Sequence, residues 1–485
     1  MRTLALLLVG VASVAEGSPA TAPDGGVPAD GGSSPTAVLR PEAPPAAPSP
    51  PPVPGRIPAP AAGERRPPQG VPAVFAEPRL LSRGPMIDLP PDEEAPRTDG
   101  GAKGDPSREE EARTSYFSDI KRKAEAILNR TVLGGYGEFV FTKRADEDSY
   151  FEARRFVALL HSQITDRISF TTEIEFEHGG SPLKRDGQLM PGEVALEFAA
   201  LDVKLWDQLT LRGGIVLVPF GRFNVNHDAP TQDLTDRPLA ITLIIPSTWY
   251  EVGAGLLGRQ RLSASWELGY EGYVINGLDS KIQDGLGYRA ARGSKLEDSN
   301  DDKAVVGRVG LSFMGPVGGR TLQLDLGASG YTGAYDRRGS RANLVGGDLT
   351  LKVAGFELLA EYARGFNDPG FDDDYATSTR TAVPAGMQGL FVELHYHVMF
   401  EALRRRLPGW LKGALFTLAL RYDLVDTDMA VKNEHDRQRL TFGLNFRPIA
   451  GAAWKHELQL DHTGGPQNPF ASPRPGYVTS IAFLF

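Results

Sequence analysis

Apolar and polar residues alternate along the chain in one segment after another from about residue 131 onward. Ile168–Glu177 is the clearest case: its even-numbered positions carry Ile, Phe, Thr, Ile and Phe, and its odd-numbered positions carry Ser, Thr and three Glu. Successive side chains of a strand point to opposite faces. Because burying unpaired carboxylates is prohibitive, one face must meet water and the other an apolar medium. The same alternation recurs in sixteen segments and runs to Phe485.

The connections between these segments alternate between short turns and long polar loops. This alternation is typical of an even-stranded outer-membrane barrel with both termini on the periplasmic side, and segments of about ten residues are long enough to cross when tilted. We therefore predict an all-β fold, a transmembrane antiparallel β-barrel of about 16 strands over residues 131–485. A slip of the alternation near Ala199 and Ala200 predicts a β-bulge there.

The residues before the barrel divide into three predicted segments. Residues 1–15 have a basic start and a short apolar run, as a secretory signal peptide does. Residues 16–106 are rich in Pro, Ala and Gly, and the first 110 residues hold 23 of the 38 prolines, which predicts a disordered periplasmic arm. Its role stays open between a spacer toward the cell wall and a neutral tail. Residues 107–130 predict one helix, with acids early and bases late, that docks on the barrel or plugs its mouth.

Composition supports the same class of protein and excludes others. The chain has no Cys, which excludes disulfides and thiolate metal sites. A formal net charge of −9 without basic clusters argues against nucleic-acid binding. An exported chain with dense alternating strands and no apolar run of helix-spanning length fits a closed barrel in the outer membrane of a Gram-negative bacterium.

The end of the chain points to a partner. Tyr477, Thr479, Ile481, Phe483 and Phe485 share one face, and the chain ends on an aromatic residue. This resembles the terminal strand by which the barrel-assembly machinery recognises outer-membrane proteins. We therefore expect Phe485 to serve that recognition, and we expect outer-membrane lipid around the barrel.

Three stretches resemble the phosphate-selective porin family of the O and P type. Residues 211–221 read LRGGIVLVPFG, similar to the family's G-Q-F-K-V-P-F-G segment, and residues 192–205 and 134–138 are also similar. The resemblance covers about residues 131–485. It implies a sixteen-stranded barrel, a homotrimer, and a strand that enters a long loop folded into the pore.

Alternation also assigns the charges that face the lumen. The predicted pore-lining residues are Glu138, Arg155, Glu173, Glu175, Glu177, Arg212, Glu267, Glu271, Arg308, Asp325, Glu357, Glu361, Arg421, Arg439 and Lys455. The remaining inward charges are Glu193, Glu197, Asp202, Lys204, Asp348, Lys352, Glu393, Asp423, Arg447, Glu457 and Asp461. Together these are 17 acids and 9 bases, a departure from the cationic lining that anion selectivity requires.

The loop over residues 220–247 is the candidate functional segment. Its predicted constriction charges are Arg222, Asp228, Asp233, Asp236 and Arg237, and an apolar run at residues 241–245 predicts packing against the inner wall. The alternative is an extracellular cap.

His395 and His397 share a strand face, but the sequence offers no third ligand, so we interpret them as wall residues and predict no metal. We expect a passive diffusion channel for small hydrophilic or ionic solutes, not an enzyme, with no cofactor. The alternative function is an outer-membrane anchor that tethers the cell wall through the Pro-rich arm.

Overall fold

The fold is taken from a computed structural model that describes residues 130–485, apart from residues 146, 181–182, 186–187, 191, 293–300, 374–379, 432–435 and 464–473. The predicted signal peptide (1–15), the arm (16–106) and the helix (107–130, except its last residue) lie outside the described residues. Among the residues that are described, no helix is both long and apolar enough to cross a membrane.

Sixteen antiparallel strands form one closed barrel, which confirms the predicted fold. Each strand pairs with the next one in sequence, and the last pairs with the first. The strands are β1 Thr131–Arg144, β2 Tyr150–Gln163, β3 Ile168–Glu177, β4 Val194–Trp206, β5 Leu209–Leu217, β6 Tyr250–Arg261, β7 Trp266–Ile275, β8 Ala304–Val317, β9 Arg320–Ala334, β10 Arg341–Val353, β11 Phe356–Asn367, β12 Gly386–Val398, β13 Leu415–Asp426, β14 Asp436–Ile449, β15 Ala452–Thr463 and β16 Arg474–Leu484.

Short elements lie in the connections. The helices are α1 Arg222–Val225, α2 Leu239–Leu243 and α3 Glu401–Arg404, and the 3₁₀ turns are His178–Gly180, Ala229–Thr231, Arg289–Ala291 and Gly409–Leu411. Two small hairpins pair Leu183–Arg185 with Gln188–Met190 and Phe371–Asp373 with Arg380–Ala382.

Burial follows the alternation of the sequence. In β3, Glu173 and Glu175 are 7% and 1% exposed, whereas Ile174 and Phe176 are each 37% exposed. The carboxylates therefore point into the barrel and the apolar side chains point outward. In β4 the register shifts at Glu197, two residues before the predicted bulge, so outward positions change from even to odd numbers as expected.

The turns at one end of the barrel are short, with one exception. Six of them span two to four residues, at 164–167, 207–208, 262–265, 318–319, 354–355 and 450–451. The connection between β12 and β13, residues 399–414, contains α3 and exposes Phe400 and Trp410. The expected alternation of short turns and long loops fails at this one place.

Phe485 extends the pairing of β1 with β16 that closes the barrel. Phe485 donates its backbone N–H to the Gly135 carbonyl at 3.0 Å, and Gly135 donates to the Phe485 carbonyl at 3.1 Å. The Phe485 ring also stacks on Phe156, with ring centroids 5.2 Å apart. Gly135 leaves no room for a side chain, because a Cβ there would collide with the backbone oxygen of Val157.

This close approach predicts that Gly135→Ala destabilises the barrel. The added Cβ forces β1 away from β2, and overpacking of this kind costs about 1–3 kcal/mol. The matched control is Gly269→Ala in β7, where a Cβ would meet no atom within 4 Å. Equilibrium urea unfolding of both variants in detergent micelles measures the difference, and equal stabilities would contradict the explanation.

Candidate functional site

The connection between β5 and β6, residues 218–249, lies against the inner wall of the barrel and is called the inner loop here. The chain enters it at Gly221, which has φ +72°. A Cβ at Gly221 would collide with the Glu361 carboxylate, so only glycine fits. The Gly221 N–H donates to Ser329 Oγ at 3.1 Å, and Phe220 just before it is fully buried. The loop therefore turns inward as soon as β5 ends.

The apolar run of the inner loop anchors it. Ile241 and Ile244 are fully buried in one cluster with Phe391 and Val425, which belong to β12 and β13. Gly389 of β12 permits the close approach, because a Cβ there would lie 2.9 Å from the nearest atoms of the loop. The predicted packing of the apolar run against the wall is what the structure has.

The charged part of the inner loop is held by arginines of the wall. Asp236 accepts hydrogen bonds from Arg144 at 2.9 Å, from Arg154 at 2.8 Å and from Gln459 at 3.0 Å, and Arg439 lies 3.9 Å away. Burial alone would raise the pKa of the Asp236 carboxyl, but the guanidinium groups around it hold that pKa well below its usual range. Asp236 is thus an ionised residue that links the inner loop to the first strands of the barrel, β1 and β2, and to the late strands β14 and β15.

Asp233 is a second carboxylate of the inner loop that several wall side chains contact. Its Oδ1 accepts from Asn445 at 2.7 Å and from Arg447 Nη2 at 2.9 Å, and its Oδ2 lies 3.2 Å from His395 Nδ1. Burial works to raise the pKa of Asp233, yet His395 and Arg447 outweigh it and keep the pKa well below the usual value.

Wall side chains also satisfy the backbone of the inner loop. Lys455 Nζ donates to the Ala229 carbonyl at 2.7 Å, and Arg421 donates to the Asp236 carbonyl at 2.9 Å. Asp423 accepts from the Leu239 N–H at 2.9 Å. Since buried backbone groups need partners, these contacts allow an irregular loop to lie inside the barrel.

The predicted pore-lining charges fall into two groups. Six are buried: Glu138, Glu173, Glu175, Glu361, Arg421 and Lys455. The others are partly exposed: Arg155, Glu177, Arg212, Glu267, Glu271, Arg308, Asp325, Glu357 and Arg439. Arg421 and Lys455 contact the loop rather than open lumen, so the structure differs from the prediction that these two face water. Of the predicted loop charges, Asp233 is buried and Arg222, Asp228, Asp236 and Arg237 are partly exposed.

Burial changes the charge balance inside the barrel. Nine of the 17 inward acids are buried: Glu138, Glu173, Glu175, Glu197, Asp348, Glu361, Glu393, Asp423 and Glu457. Three of the 9 inward bases are buried: Arg421, Arg447 and Lys455. The charges that reach water are therefore 17 − 9 = 8 acids and 9 − 3 = 6 bases. The excess of acids over bases is therefore much smaller among the inward charges that contact water than among all inward charges.

Arginines and lysines on the side of the lumen that is more exposed to water form ion pairs with acids. The pairs are Arg212 with Asp202 (2.7 Å), Arg308 with Asp348 (2.6 Å), Arg222 with Asp325 (3.2 Å) and Lys352 with Glu357 (2.7 Å). These residues belong to β4, β5, β8–β11 and the start of the inner loop. The water-accessible wall thus presents both signs of charge at short distances.

A second bulge adds an arginine that the sequence analysis missed. Glu138 pairs with Arg155 and Phe139 with Ala153, so Arg154 is the extra residue of β2. Both Arg154 and Arg155 reach the interior, where Arg155 lies 3.2 Å from Glu138. Alternation alone places Arg154 on the lipid face, where an unpaired charge is costly, so the Arg-Arg pair itself was a signal of a bulge.

Asn224 was also missed. It is fully buried and joins the two ends of the inner loop, donating to the carbonyls of Val218 (2.8 Å) and Trp249 (2.9 Å) and accepting from the Trp249 N–H (2.8 Å). Nothing distinguishes this Asn from other loop Asn residues in the sequence.

Comparison with known proteins gives a family match. A family model described as phosphate-selective porin O and P matches residues 128–460, more than half of the chain. An uncharacterized protein of Aquifex aeolicus (strain VF5) is 27% identical over 386 residues, covering 75% of this chain and 82% of that protein.

Solved outer-membrane proteins are similar at low identity. OprB of Pseudomonas putida has 12% identity and a TM-score of 0.45, covering 76% of this chain and 96% of that one. OmpF of Salmonella typhi has 12% identity and a TM-score of 0.44, covering 73% and 97%. An anion-selective porin from Comamonas acidovorans has 11% identity and a TM-score of 0.44, covering 73% and 99%.

His227 of the inner loop is buried as a neutral imidazole. It is 3% exposed, its Nδ1–H donates to the Asn224 carbonyl at 2.9 Å, and its Nε2 lies 3.5 Å from Glu197 Oε2. Burial and, next, the Arg237 guanidinium lower the pKa of His227 to about 4.

The lowered pKa predicts that acid loosens the inner loop. A released loop takes up a proton on His227 below about pH 6.5, whereas the docked loop does so only near pH 4, so docking weakens as the pH falls between those values. At pH 5 the cost reaches about 2 kcal/mol. Hydrogen exchange of the loop amides, corrected for intrinsic rates, should therefore rise from pH 7 to pH 5.

The control is His227→Gln, which removes the titration and keeps a side-chain amide near Asn224. This variant should lose the loosening by acid, because Asp233 and Asp236 stay ionised throughout the window, and the pKa of Asp228, raised by burial, makes acid favour docking rather than oppose it. An equal response in the wild-type protein and the variant would assign the effect to other carboxylates.

Proposed function

The chain belongs to the phosphate-selective porin O and P family and is an outer-membrane channel, and from this premise we propose passive diffusion of small hydrophilic or ionic solutes as its function. The observation that carries the proposal is the inner loop, which wall charges and an apolar anchor hold inside a polar lumen. A channel of this kind needs no reacting side chain, since pore size and lining charge decide what passes.

We propose that the charged lumen and the inner loop together set the selectivity. The inward charges that reach water are nearly balanced, 8 acids to 6 bases, and these bases are paired with acids. Arg222 at the start of the inner loop is 31% exposed and lies 3.2 Å from Asp325. We propose that a loop arginine at this place sets the sign of the local field, because the wall charges around it are nearly balanced.

Three further expectations rest on the sequence alone. The homotrimer and the recognition of Phe485 by the barrel-assembly machinery stay predictions. The alternative function, an anchor that tethers the cell wall through residues 16–106, also stays a prediction, because that segment lies outside the described residues.

Planar-bilayer recording tests the diffusion function. The purified, folded protein should produce stepwise increases in conductance that persist at constant voltage, because each inserted barrel adds one water-filled path. Folding is checked beforehand by the shift in gel mobility on heating. A correctly folded preparation that never produces steps would contradict the proposed function.

Charge reversal at Arg222 tests the role of the inner loop. Arg222→Glu should shift the reversal potential toward cation preference by roughly 10 mV, where full selectivity gives about 59 mV per tenfold salt gradient. The matched control is Arg405→Glu, just after α3 in the 399–414 connection, where Arg405 is exposed and pairs only with Glu401 among the described residues. Equal reversal potentials for both variants would remove Arg222 from the selectivity filter.

A further inference from the structure

Three side chains from two distant parts of the chain converge between the inner loop and strand β12. Asp233 comes from the inner loop, and His395 and His397 lie two residues apart on the inner face of β12. One potential ligand atom of each lies within 4.8 Å of the other two. The third ligand that the sequence did not reveal is thus supplied by the fold.

A carboxylate orients each imidazole by contacting its Nε2 atom. His395 Nε2 lies 2.5 Å from Glu393 Oε1, and His397 Nε2 lies 3.1 Å from Glu357 Oε2. An ionised carboxylate only accepts hydrogen bonds, so each Nε2 carries a proton, and Nδ1 is the nitrogen of each ring that can offer a lone pair to a metal ion. Carboxylate–histidine pairs of this kind are the usual support for metal-ligating histidines.

Both Nδ1 atoms face the same oxygen. His395 Nδ1 is 3.2 Å and His397 Nδ1 is 4.0 Å from Asp233 Oδ2. His395 is 4% exposed, and its buried Nδ1 has no hydrogen-bond partner, an unsatisfied atom aimed into the cluster. His397 Nδ1 also lies 2.9 Å from Thr417 Oγ1, whose hydroxyl can donate to it.

The other oxygen of Asp233 is already engaged. Arg447 and Asn445 both donate to Oδ1, at 2.9 and 2.7 Å, which fixes the carboxylate and turns Oδ2 toward the two rings. The cluster therefore has three ligand atoms, and each ligand is oriented by a second set of side chains. A fortuitous ion pair between one imidazolium and one carboxylate does not require the second histidine or its carboxylate support.

We propose that Asp233, His395 and His397 bind one Zn²⁺ ion that fastens the inner loop to β12. Two imidazole nitrogens and one carboxylate oxygen suit Zn²⁺, whereas Ca²⁺ and Mg²⁺ take oxygen ligands. The chain has no Cys, so no thiolate competes for the ion. The inference goes beyond passive diffusion, because it assigns a metal to the position of the loop.

Zinc binding is measured on the full-length folded protein after removal of metal with a chelator. Calorimetric titration of this metal-free protein with Zn²⁺ should give one site that Ca²⁺ does not fill, and mass spectrometry for bound metal should find one Zn²⁺ per chain once Zn²⁺ has been added back and excess ion removed. His395→Gln and His397→Gln should each lower the affinity more than 100-fold. Glu357→Gln keeps all three ligands but removes the carboxylate that supports His397, together with the ion pair to Lys352, and should cost about 10–100-fold.

His161→Gln is the matched control. His161 lies in β2, and its Nδ1 contacts the Thr171 hydroxyl at 2.8 Å, as His397 contacts Thr417, but it belongs to no such cluster among the described residues. This variant should bind zinc as the wild-type protein does. Zinc binding that His395→Gln and His397→Gln leave unchanged, or a wild-type protein without bound zinc, would overturn the proposal in favour of an ion pair.

A second measurement covers the case in which the histidine variants do not fold. Wild-type protein loaded with Co²⁺ should absorb visible light through d–d transitions and lose that band when Zn²⁺ is added, and no band would overturn the site. These readouts do not depend on conductance. A folded protein that binds zinc at this site but never conducts would refute the diffusion channel and support the zinc site.

Discussion

Every charge that the barrel turns inward has to meet water or an opposite charge, and this requirement shapes the whole interior. The inner loop meets it on one side of the lumen, where Asp233, Asp236 and the loop backbone face guanidinium, ammonium and carboxylate groups of the wall. On the other side the charges pair with one another across neighbouring strands and keep contact with water. The loop and the wall therefore depend on each other: without the loop, buried charges such as Lys455 lose the carbonyls they bind.

The barrel itself was predictable because its two environments differ so strongly. Apolar residues at every second position leave only one way to orient a strand between hydrocarbon and water, and sixteen such segments gave the strand count. The failures are local. The extra residue Arg154 in β2 interrupts the two-residue alternation, and the connection 399–414 interrupts the alternation of short turns and long loops. A prediction that assumes a fixed period does not show where the period is interrupted.

The site was only half predictable, because its partners are far apart in sequence. The sequence identified the inner loop and all five of its charges, but Asp233 meets Arg447 and Asn445, more than 200 residues later. No period relates these positions. The charge count failed for a different reason: alternation tells which face a carboxylate occupies, but not whether neighbouring groups bury it, and nine of the inward acids are buried.

These contacts divide the inner loop into parts with different consequences. Its apolar run packs on β12 and β13, and Asp233 and Asp236 bind wall groups on β1, β2, β12, β14 and β15, so this part of the loop is held against the wall. Its first residues behave differently, because Arg222 stays partly exposed beside the paired charges of β8–β11. On the basis of the proposed channel function, we expect the anchored part of the loop to set the width of the passage and the exposed edge at Arg222 to set the local charge. A change at Arg222 should then alter which ions pass without altering how wide the passage is.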